Sequence, residues 1–164
     1  NSEYASPEAM LEATPANLSA AATRRDHSSD AALTENKSLV ARMFLEVVNL
    51  KAYSVADEIF ADDFVWPQFG LEGPEGVKTW ARAFHAGWPD VQDRLDLQIA
   101  EGDMVISLVT VYGTQTGEWL GYPPSNCIAV FPAIGIDRVV DGKIVERSAT
   151  FNLKDVLRQL GHEE

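Results

Sequence analysis

The order of the periodic segments predicts an α+β fold in which a bent antiparallel sheet wraps its concave face around N-terminal helices. Apolar residues recur at helical spacing in residues 34–50 and again in residues 73–90. The long strand-like segments follow, from residue 94 onward, so the βαβ alternation of a parallel sheet is absent. A sheet bent in this way forms a cone with an open end. A pocket remains at that end wherever the helices do not fill the cone.

The helical segments differ in their apolar faces. The first places Leu39, Val40, Met43 and Phe44 on one broad stripe. The stretch "SVADEIFADDFVWP" continues as a short helix that leads into a strand rich in Phe and Trp. The second long helix, in "GPEGVKTWARAFHAGWPD", ends before its C-terminal proline.

Three later segments have the pattern of consecutive antiparallel strands. They are "RLDLQIAEGDMVISLVTVYGTQTGEWLG", "NCIAVFPAIGIDRVVDG" and "KIVERSATFNL". Each alternates or is continuously apolar, and Gly, Asp and Pro turns separate them. A short helix in "LKDVLRQLG" closes the chain, with Gly161 as its C-cap signal.

The chain is long enough for one domain. It has 164 residues, of which 46% are hydrophobic. We assign this domain to residues 36–164 and an N-terminal extension to residues 1–35, where Ala, Ser, Thr and Glu dominate. The extension has a helix start signal at Ser6 and is expected to pack over the domain or its partner. Its apolar anchors are Tyr4, Met10, Leu11 and Leu18.

The charge of the chain excludes several classes of partner. The formal net charge is -12, and no cluster of Lys and Arg is present. Because such clusters drive binding to phosphate backbones, we expect neither nucleic acid nor an acidic membrane surface as a partner. No apolar run reaches the roughly 20 residues that span a bilayer, and no signal peptide is visible.

Neither a metal nor a cofactor is expected. Cys127 is the only cysteine, which fits a reducing cytoplasm, and His27, His85 and His162 lack the spacing of metal ligands. The glycines of "GTQTGEWLG" lie between strands and not before a helix, so they are not a dinucleotide-binding fingerprint.

Several short motifs resemble a known family. "NKSLVARMFLEVVN", "GPEGV", "WPDV", "AEGDMV", "GTQTGEWLGYPPS", "VDGKIVE" and "LRQLG" occur in the order and approximate spacing of the SnoaL-like polyketide cyclases. The resemblance covers about residues 36–161. It implies the cone-shaped α+β barrel of the nuclear transport factor 2 type. Since this fold carries many unrelated chemistries, it does not by itself determine the function.

The resemblance also implies a site from which this chain departs. The type cyclases have an aspartate on the last strand as acid/base, and a His or other polar residue on the preceding strand. Aligned through "VDGK", these positions fall on Ala149, Gly135 and Ala133. None of the three can transfer a proton, so this chain is not expected to use the acid/base of the type enzymes.

Asp137 and Arg147 are the candidate catalytic residues. A three-residue hairpin loop at "VDG" predicts Asp137 opposite Val145, and it makes Asp137 and Arg147 diagonal neighbours. Asp137 shares its face with small residues, which leaves room for a ligand. It is expected to act as an acid/base, with Arg147 orienting it or polarising a substrate carbonyl. A purely structural ion pair is the alternative.

Aromatic and polar side chains are the candidates for substrate binding. Trp66 and Trp119 lie at a strand start and in a loop, where they are expected to line the pocket. Tyr112 and Gln115 lie near the open end of the sheet, with a subunit interface as the alternative. Three more candidates lie on the helix faces, where plain core packing is the alternative: Phe44, Phe84 and Trp88.

Two functions from different classes follow. The first is a cofactor-independent cyclase that folds a hydrophobic polyketide-like intermediate in bacterial secondary metabolism, by an aldol-type step or by epoxide opening and oxa-cyclisation. The second is a non-catalytic small-molecule binding or accessory protein that retains only the pocket.

A homodimer is also expected, because Ile106, Leu108 and Tyr112 give the outer face of one strand an apolar patch.

Overall fold

A computed structural model describes residues 29–162. The helices are α1 (Asp30–Arg42), α2 (Val55–Ile59), α3 (Gly73–Gly87) and α4 (Leu153–Gln159), with a π-helix at Met43–Val48 and a 3-10 turn at Pro67–Phe69. The strands are β1 (Phe60–Trp66), β2 (Leu71–Glu72), β3 (Gln92–Glu101), β4 (Met104–Thr114), β5 (Ile128–Val140) and β6 (Lys143–Phe151). The helix signal at Ser6 and the four apolar anchors of the extension lie outside the described residues.

The first helix begins earlier than the apolar stripe indicates. Ser29 is its N-cap, and the Ser29 hydroxyl accepts a hydrogen bond of 3.2 Å from the backbone N–H of Ala32. The first turn therefore starts at Asp30, four residues before the predicted start at Thr34. Residues 30–35, assigned to the extension, thus belong to the helix.

The α1 helix widens into the π-helix where it meets the sheet. The N–H of Asn49 donates to the carbonyl of Phe44 at 3.0 Å, a bond five residues long. Four of the six π-helical residues are buried. The sequence pattern predicts only a helix here, because Val47 and Val48 continue the apolar run and no residue type marks the wider turn.

The six strands form one curved open sheet, which confirms the predicted α+β class. The strand order is β2-β1-β6-β5-β4-β3. The four long strands β3 to β6 are consecutive and antiparallel, as predicted, while β1 pairs with β6 in parallel. One face of the sheet packs against the helices in a core that includes Val40, Phe64, Val77 and Val109. The other face is open.

The β5–β6 hairpin has a different register from the predicted one. The turn is the two-residue pair Asp141 and Gly142, both with positive φ, at 50° and 72°. The register shifts by one residue between Arg138 and Val139. As a result, Asp137 lies directly opposite Arg147, and not opposite Val145.

The rest of the hairpin shifts in the same way. Gly135 pairs with Ala149, and Ala133 pairs with Phe151. A register with Asp137 opposite Val145 would instead pair Gly135 with Arg147 and Ala133 with Ala149, so both of these implied pairs are wrong. Among the described residues, no helix is long and apolar enough to cross a membrane.

The open face of the sheet is strongly apolar. On β3 and β4, Ile99 pairs with Ile106, and their side chains are 56% and 43% exposed. Other exposed apolar side chains are Leu97 on β3, Tyr112 on β4, and Val130 and Ile134 on the neighbouring strand β5. An exposed apolar area of this extent is typical of an interface.

We therefore expect a homodimer through this face, with a dimer mass in light scattering at micromolar concentration. Replacing Ile99 and Ile106 together with Glu should give a monomer, because the carboxylates would have to be buried in the interface. Leu50→Glu is the matched control, since Leu50 is 72% exposed and lies in a loop. A monomer mass for the unmodified chain would contradict the expectation.

Candidate functional site

A cavity of about 410 Å³ lies between the helices and the concave face of the sheet. Aromatic side chains make up much of its wall. Four of the predicted substrate-binding residues lie on it: Phe44, Trp66, Phe84 and Trp119. The other aromatic residues of the wall are Phe69, Trp80, Phe131 and Phe151.

The aromatic rings of the wall contact one another in two groups, on opposite sides of the cavity. Trp80 lies between Trp66 and Phe84, with ring centroids 5.0 Å and 5.4 Å away. On the other side, Trp119 and Phe151 have centroids 5.9 Å apart. Rings held by neighbouring rings keep their orientation, so the shape of the cavity is preformed.

The three remaining predicted substrate-binding residues do not lie on the wall. Trp88 is fully buried behind it, 5.3 Å from the ring of Trp119 and 6.3 Å from that of Phe131, so it belongs to the core. Tyr112 is on the open face of the sheet, because even-numbered residues of β4 point away from the helices.

Gln115 fixes a loop instead of facing a ligand. Its amide nitrogen donates to the carbonyls of Gly117 and Pro123, at 3.1 Å and 3.0 Å. Its amide oxygen accepts the N–H of Ser125 at 3.1 Å. The β4–β5 loop closed by these bonds carries Trp119 to the cavity wall. Gln115 is therefore a positioning residue for this part of the wall.

Arg147 and Asp137 form a buried ion pair. One terminal nitrogen of Arg147, Nη1, donates to both carboxylate oxygens of Asp137, at 2.7 Å and 2.8 Å. Arg147 is 4% exposed and Asp137 is not exposed at all. The direct pairing of the two residues across β5 and β6 produces this contact.

The guanidinium of Arg147 lies among aromatic rings at the cavity wall. Its central carbon is 5.0 Å from the ring centre of Phe44 and 5.1 Å from that of Trp66. Gly135 gives it the necessary space, because a Cβ atom there would be only 2.8 Å from its Nη2. The Nε atom is buried without a hydrogen-bond partner. The cation is thus held on one side by Asp137 and keeps donors that the protein does not use.

Asp137 is not on the cavity wall, which corrects its expected position. Arg147 lines the cavity, and Asp137 binds it from behind. Burial raises the pKa of the Asp137 carboxyl, and the charge and hydrogen bonds of Arg147 counteract this increase in part. With both oxygens bound to Arg147, Asp137 has the geometry of a group that orients the guanidinium.

Asp93 is a cavity residue that sequence reasoning missed. It lies on the wall, is 8% exposed, and its Oδ1 is buried without a hydrogen-bond partner. Burial raises its pKa to about 7, while the charge of Arg147 acts in the opposite direction. One signal could have revealed it: Asp93 alternates with Val91 and Leu95, which places its side chain on the apolar face of β3.

The wall positions at which the resemblance places an acid/base carry none. Ala133, Gly135 and Ala149 all line the cavity, and Gly135 pairs with Ala149. They leave space beside Arg147. Within residues 29–162, no three His, Cys, Asp or Glu side chains come together in a way that could hold a metal ion.

The comparisons with known proteins agree with this architecture. Residues 38–160 match the family model described as SnoaL-like polyketide cyclase. A solved structure from Jannaschia sp. CCS1, named for a SnoaL-like polyketide cyclase, has a TM-score of 0.75 at 22% identity and covers 85% of this chain and 100% of its own. No protein with a curated description matches the chain.

Two further solved structures come from Streptomyces. TsrD from Streptomyces laurentii has a TM-score of 0.72 at 23% identity, covering 83% of this chain and 99% of its own. AclR from Streptomyces galilaeus, named for a hydroxylase, has a TM-score of 0.69 at 24% identity, covering 80% and 99%. At these identities the likeness shows the shared fold, and the names attached to it differ in chemistry.

The buried ion pair predicts a large effect of Asp137→Asn on stability. The substitution leaves Arg147 charged and unpaired, so the free energy of unfolding should fall by about 3–5 kcal/mol, measured by urea denaturation. Glu146→Gln is the control on the same hairpin. It breaks the more exposed pair of Glu146 with Arg138 and should cost at most about 1 kcal/mol. Equal losses for the two variants would contradict the prediction.

The raised pKa of Asp93 predicts a pH-dependent stability. Between pH 4 and pH 7 the folded chain keeps a proton on Asp93 that the unfolded chain releases. The free energy of unfolding therefore loses up to about 1.4 kcal/mol per pH unit as the pH rises through this range. Asp93→Asn should remove this part of the slope in urea denaturation at several pH values.

Asp96→Asn is the control for this pH dependence. Hydrogen bonds from Thr110 and Arg94 lower the pKa of Asp96, so its contribution is present above the ordinary pKa and is lost as the pH falls. Asp96→Asn should thus leave the slope between pH 4 and pH 7 nearly unchanged, and it should remove a slope of the opposite sign below about pH 4. A slope that Asp93→Asn leaves unchanged would show that Asp93 ionises normally.

Proposed function

Because the chain belongs to the SnoaL-like polyketide cyclase family, we propose that it closes a ring in a hydrophobic, oxygenated polyketide-like intermediate, without a cofactor. The observation that carries this proposal is the cavity itself. Within residues 29–162, the aromatic wall surrounds one buried guanidinium, that of Arg147. Such a site suits a flat apolar molecule that has an oxygen to place beside the cation.

Arg147 would bind the oxygen on which negative charge develops. Nη1 is bound to Asp137 and Nε is buried, so Nη2 is the nitrogen of the guanidinium that is left to donate to a substrate carbonyl. In an apolar cavity, a fixed cation stabilises an enolate or alkoxide far more than it would in water. The aromatic wall would hold the flexible chain in the folded shape that brings its reacting carbons together.

Asp137 acts as a positioning residue in this proposal. Its carboxylate is the counter-charge of Arg147, and it fixes the direction of the guanidinium through two hydrogen bonds to Nη1. Both an aldol-type closure and an epoxide-opening oxa-cyclisation produce an oxygen anion, and Arg147 could stabilise either one. A binding protein of the same fold is the second candidate, favoured by the absence of an acid or base at Ala133, Gly135 and Ala149.

Ring closure can be tested with 1-phenylhexane-1,5-dione, which closes to 3-phenylcyclohex-2-enone with loss of water. We expect the protein to accelerate this closure, followed by the absorbance of the conjugated product. Both the cyclase and the binding protein are expected to bind the probe, and calorimetry measures this binding. Binding without any acceleration would favour the second candidate.

The role of Arg147 predicts the behaviour of a double variant. Replacing Arg147 with Met and Asp137 with Leu removes both charges of the pair, so no unpaired charge is left in the core and the fold should be retained. The closure rate should fall at least about 100-fold, the usual scale for loss of an oxyanion donor. Probe binding should be retained because the aromatic wall is unchanged.

A second ion pair on the same hairpin provides the matched control. The Nη2 atom of Arg138 is 2.8 Å from the Oε2 atom of Glu146, and neither residue lines the cavity. Replacing them with Met and Leu should leave the closure rate within about twofold of the original. A double variant of Arg147 and Asp137 that closes the probe at the original rate would contradict the proposed role of Arg147.

A further inference from the structure

The backbone around Asp93 is fixed by another residue. The side chain of Asn49, at the end of the π-helix, accepts the N–H of Asp93 at 2.7 Å and donates to its carbonyl at 2.8 Å. These two bonds join the helix end to the start of β3. The carboxyl of Asp93 takes no part in them, and its Oδ1 has no partner in the protein.

A carboxyl without a partner is costly at this depth. Asp93 is 8% exposed, and a buried polar atom without a hydrogen bond destabilises the fold. Asn at this position would fit the same space without a charge. The fold therefore gives no reason for an aspartate here, whereas the cavity does, since Asp93 is on its wall.

We propose that Asp93 is the residue that transfers the proton in this cavity. This inference rests on the proposed function, and it moves the acid/base from the last strand to the first of the long strands. Among the described residues on the wall, the acidic groups are Asp93 and Glu118. Glu118 belongs to the β4–β5 loop and is exposed to solvent, so Asp93 is the buried acid of the site.

The surroundings of Asp93 suit a group that both takes and returns a proton. Burial raises its pKa to about 7, and the cation of Arg147, on β6, acts against this increase. The elements facing it contribute Asn49 from the helix end and Val111 from β4, which carry no charge. Both protonation states are therefore populated near neutral pH, as general acid/base catalysis requires.

The proton can be followed through an aldol-type closure. The Asp93 carboxylate takes a proton from the carbon beside a ketone, and the electron pair of that C–H bond moves onto the ketone oxygen, which Arg147 binds. The enolate carbon then attacks a second carbonyl of the same molecule. A C–C bond forms, and the C=O π electrons become an alkoxide. The alkoxide takes the proton back from Asp93, so the enzyme returns to its starting state. The aldol then loses water, as hydroxide from the new carbinol carbon and a proton from the carbon beside the ketone, to give the conjugated product.

The single buried carboxyl distinguishes the two ring closures considered above. In the aldol-type closure the same group acts first as base and then as acid. Epoxide opening with attack by a hydroxyl needs an acid and a base at the same moment, on different sides of the reacting carbon. With Asp93 as the one buried acid among the described wall residues, the geometry favours the aldol-type step.

Proton transfer by Asp93 can be measured separately from ring closure. 2-Tetralone is an aromatic ketone with exchangeable protons beside its carbonyl and no second carbonyl to attack. In D₂O, the protein should accelerate exchange of these protons, followed by proton NMR. Asp93→Asn should reduce the accelerated exchange at least about 100-fold, while the dissociation constant of the probe stays within about threefold.

Asp96→Asn is the matched control for this assay. Asp96 lies on the same strand, but its carboxylate bonds to Arg94 and Thr110 on the open face of the sheet. Exchange in this variant should stay within about twofold of the original. An Asp93→Asn variant that exchanges 2-tetralone as fast as the original protein would overturn the proposal, as would an original protein that does not accelerate exchange.

The outcomes separate this inference from the proposed function. Exchange that depends on Asp93, without closure of 1-phenylhexane-1,5-dione, would support Asp93 and overturn the cyclase. Closure that persists in Asp93→Asn would support the cyclase and overturn the role of Asp93.

A carbon NMR titration of the Asp93 carboxyl gives a further test without any ligand. A midpoint near 7 supports the proposal, and an ordinary midpoint near about 3.9 overturns it.

Discussion

Arg147 places a permanent positive charge inside an apolar cavity, and much of the surrounding structure is arranged around that charge. A buried guanidinium is tolerated only when a counter-charge and hydrogen bonds replace the water it has lost. Asp137 supplies both, through two bonds to Nη1 of 2.7 Å and 2.8 Å. The rings of Phe44 and Trp66 add their negative faces, and Gly135 leaves the space that the planar group needs. The same charge acts on Asp93, whose pKa would otherwise be raised further by burial.

The larger features of the fold follow from short-range patterns. The apolar stripes of the helices and the alternation of the long strands are local signals, so the order of elements and the α+β class could be predicted from them. Four of the aromatic residues predicted at strand ends and on helix faces do line the cavity. Whether a residue can line the wall depends mainly on which face of its helix or strand it occupies, and the sequence pattern shows that face. The same argument failed for Trp88, which shares the apolar face but lies one layer deeper. How deeply a residue lies in a core depends on tertiary packing, and the periodicity of the sequence carries no information about it.

The errors at the site arose from single-residue irregularities. The pair Asp137 and Arg147 was expected as a diagonal contact, but a two-residue turn and a register shift make it a direct one. The dipeptide Asp-Gly favours this turn, whereas a bulge leaves little trace in a sequence. Asp93 was missed because β3 contains several acidic residues, and only the positions of Val91 and Leu95 mark which one faces inward. Gln115 was taken for a ligand contact because its bonds to the loop form only when the chain is folded.

The placement of Asp93 and Arg147 on different strands has a consequence for catalysis. Proton abstraction by the Asp93 carboxylate would leave the total charge of the cavity unchanged, because one negative charge moves from Asp93 to the substrate oxygen. Arg147 donates directly to that oxygen in the proposed pose, while its effect on Asp93 is that of a charge in the same cavity. In the proposed reaction the cation would therefore stabilise the charge more after the transfer than before it, and this difference would lower the barrier. A carboxylate bound directly to the guanidinium, as Asp137 is, would lose that contact on protonation and would be a poorer base for it.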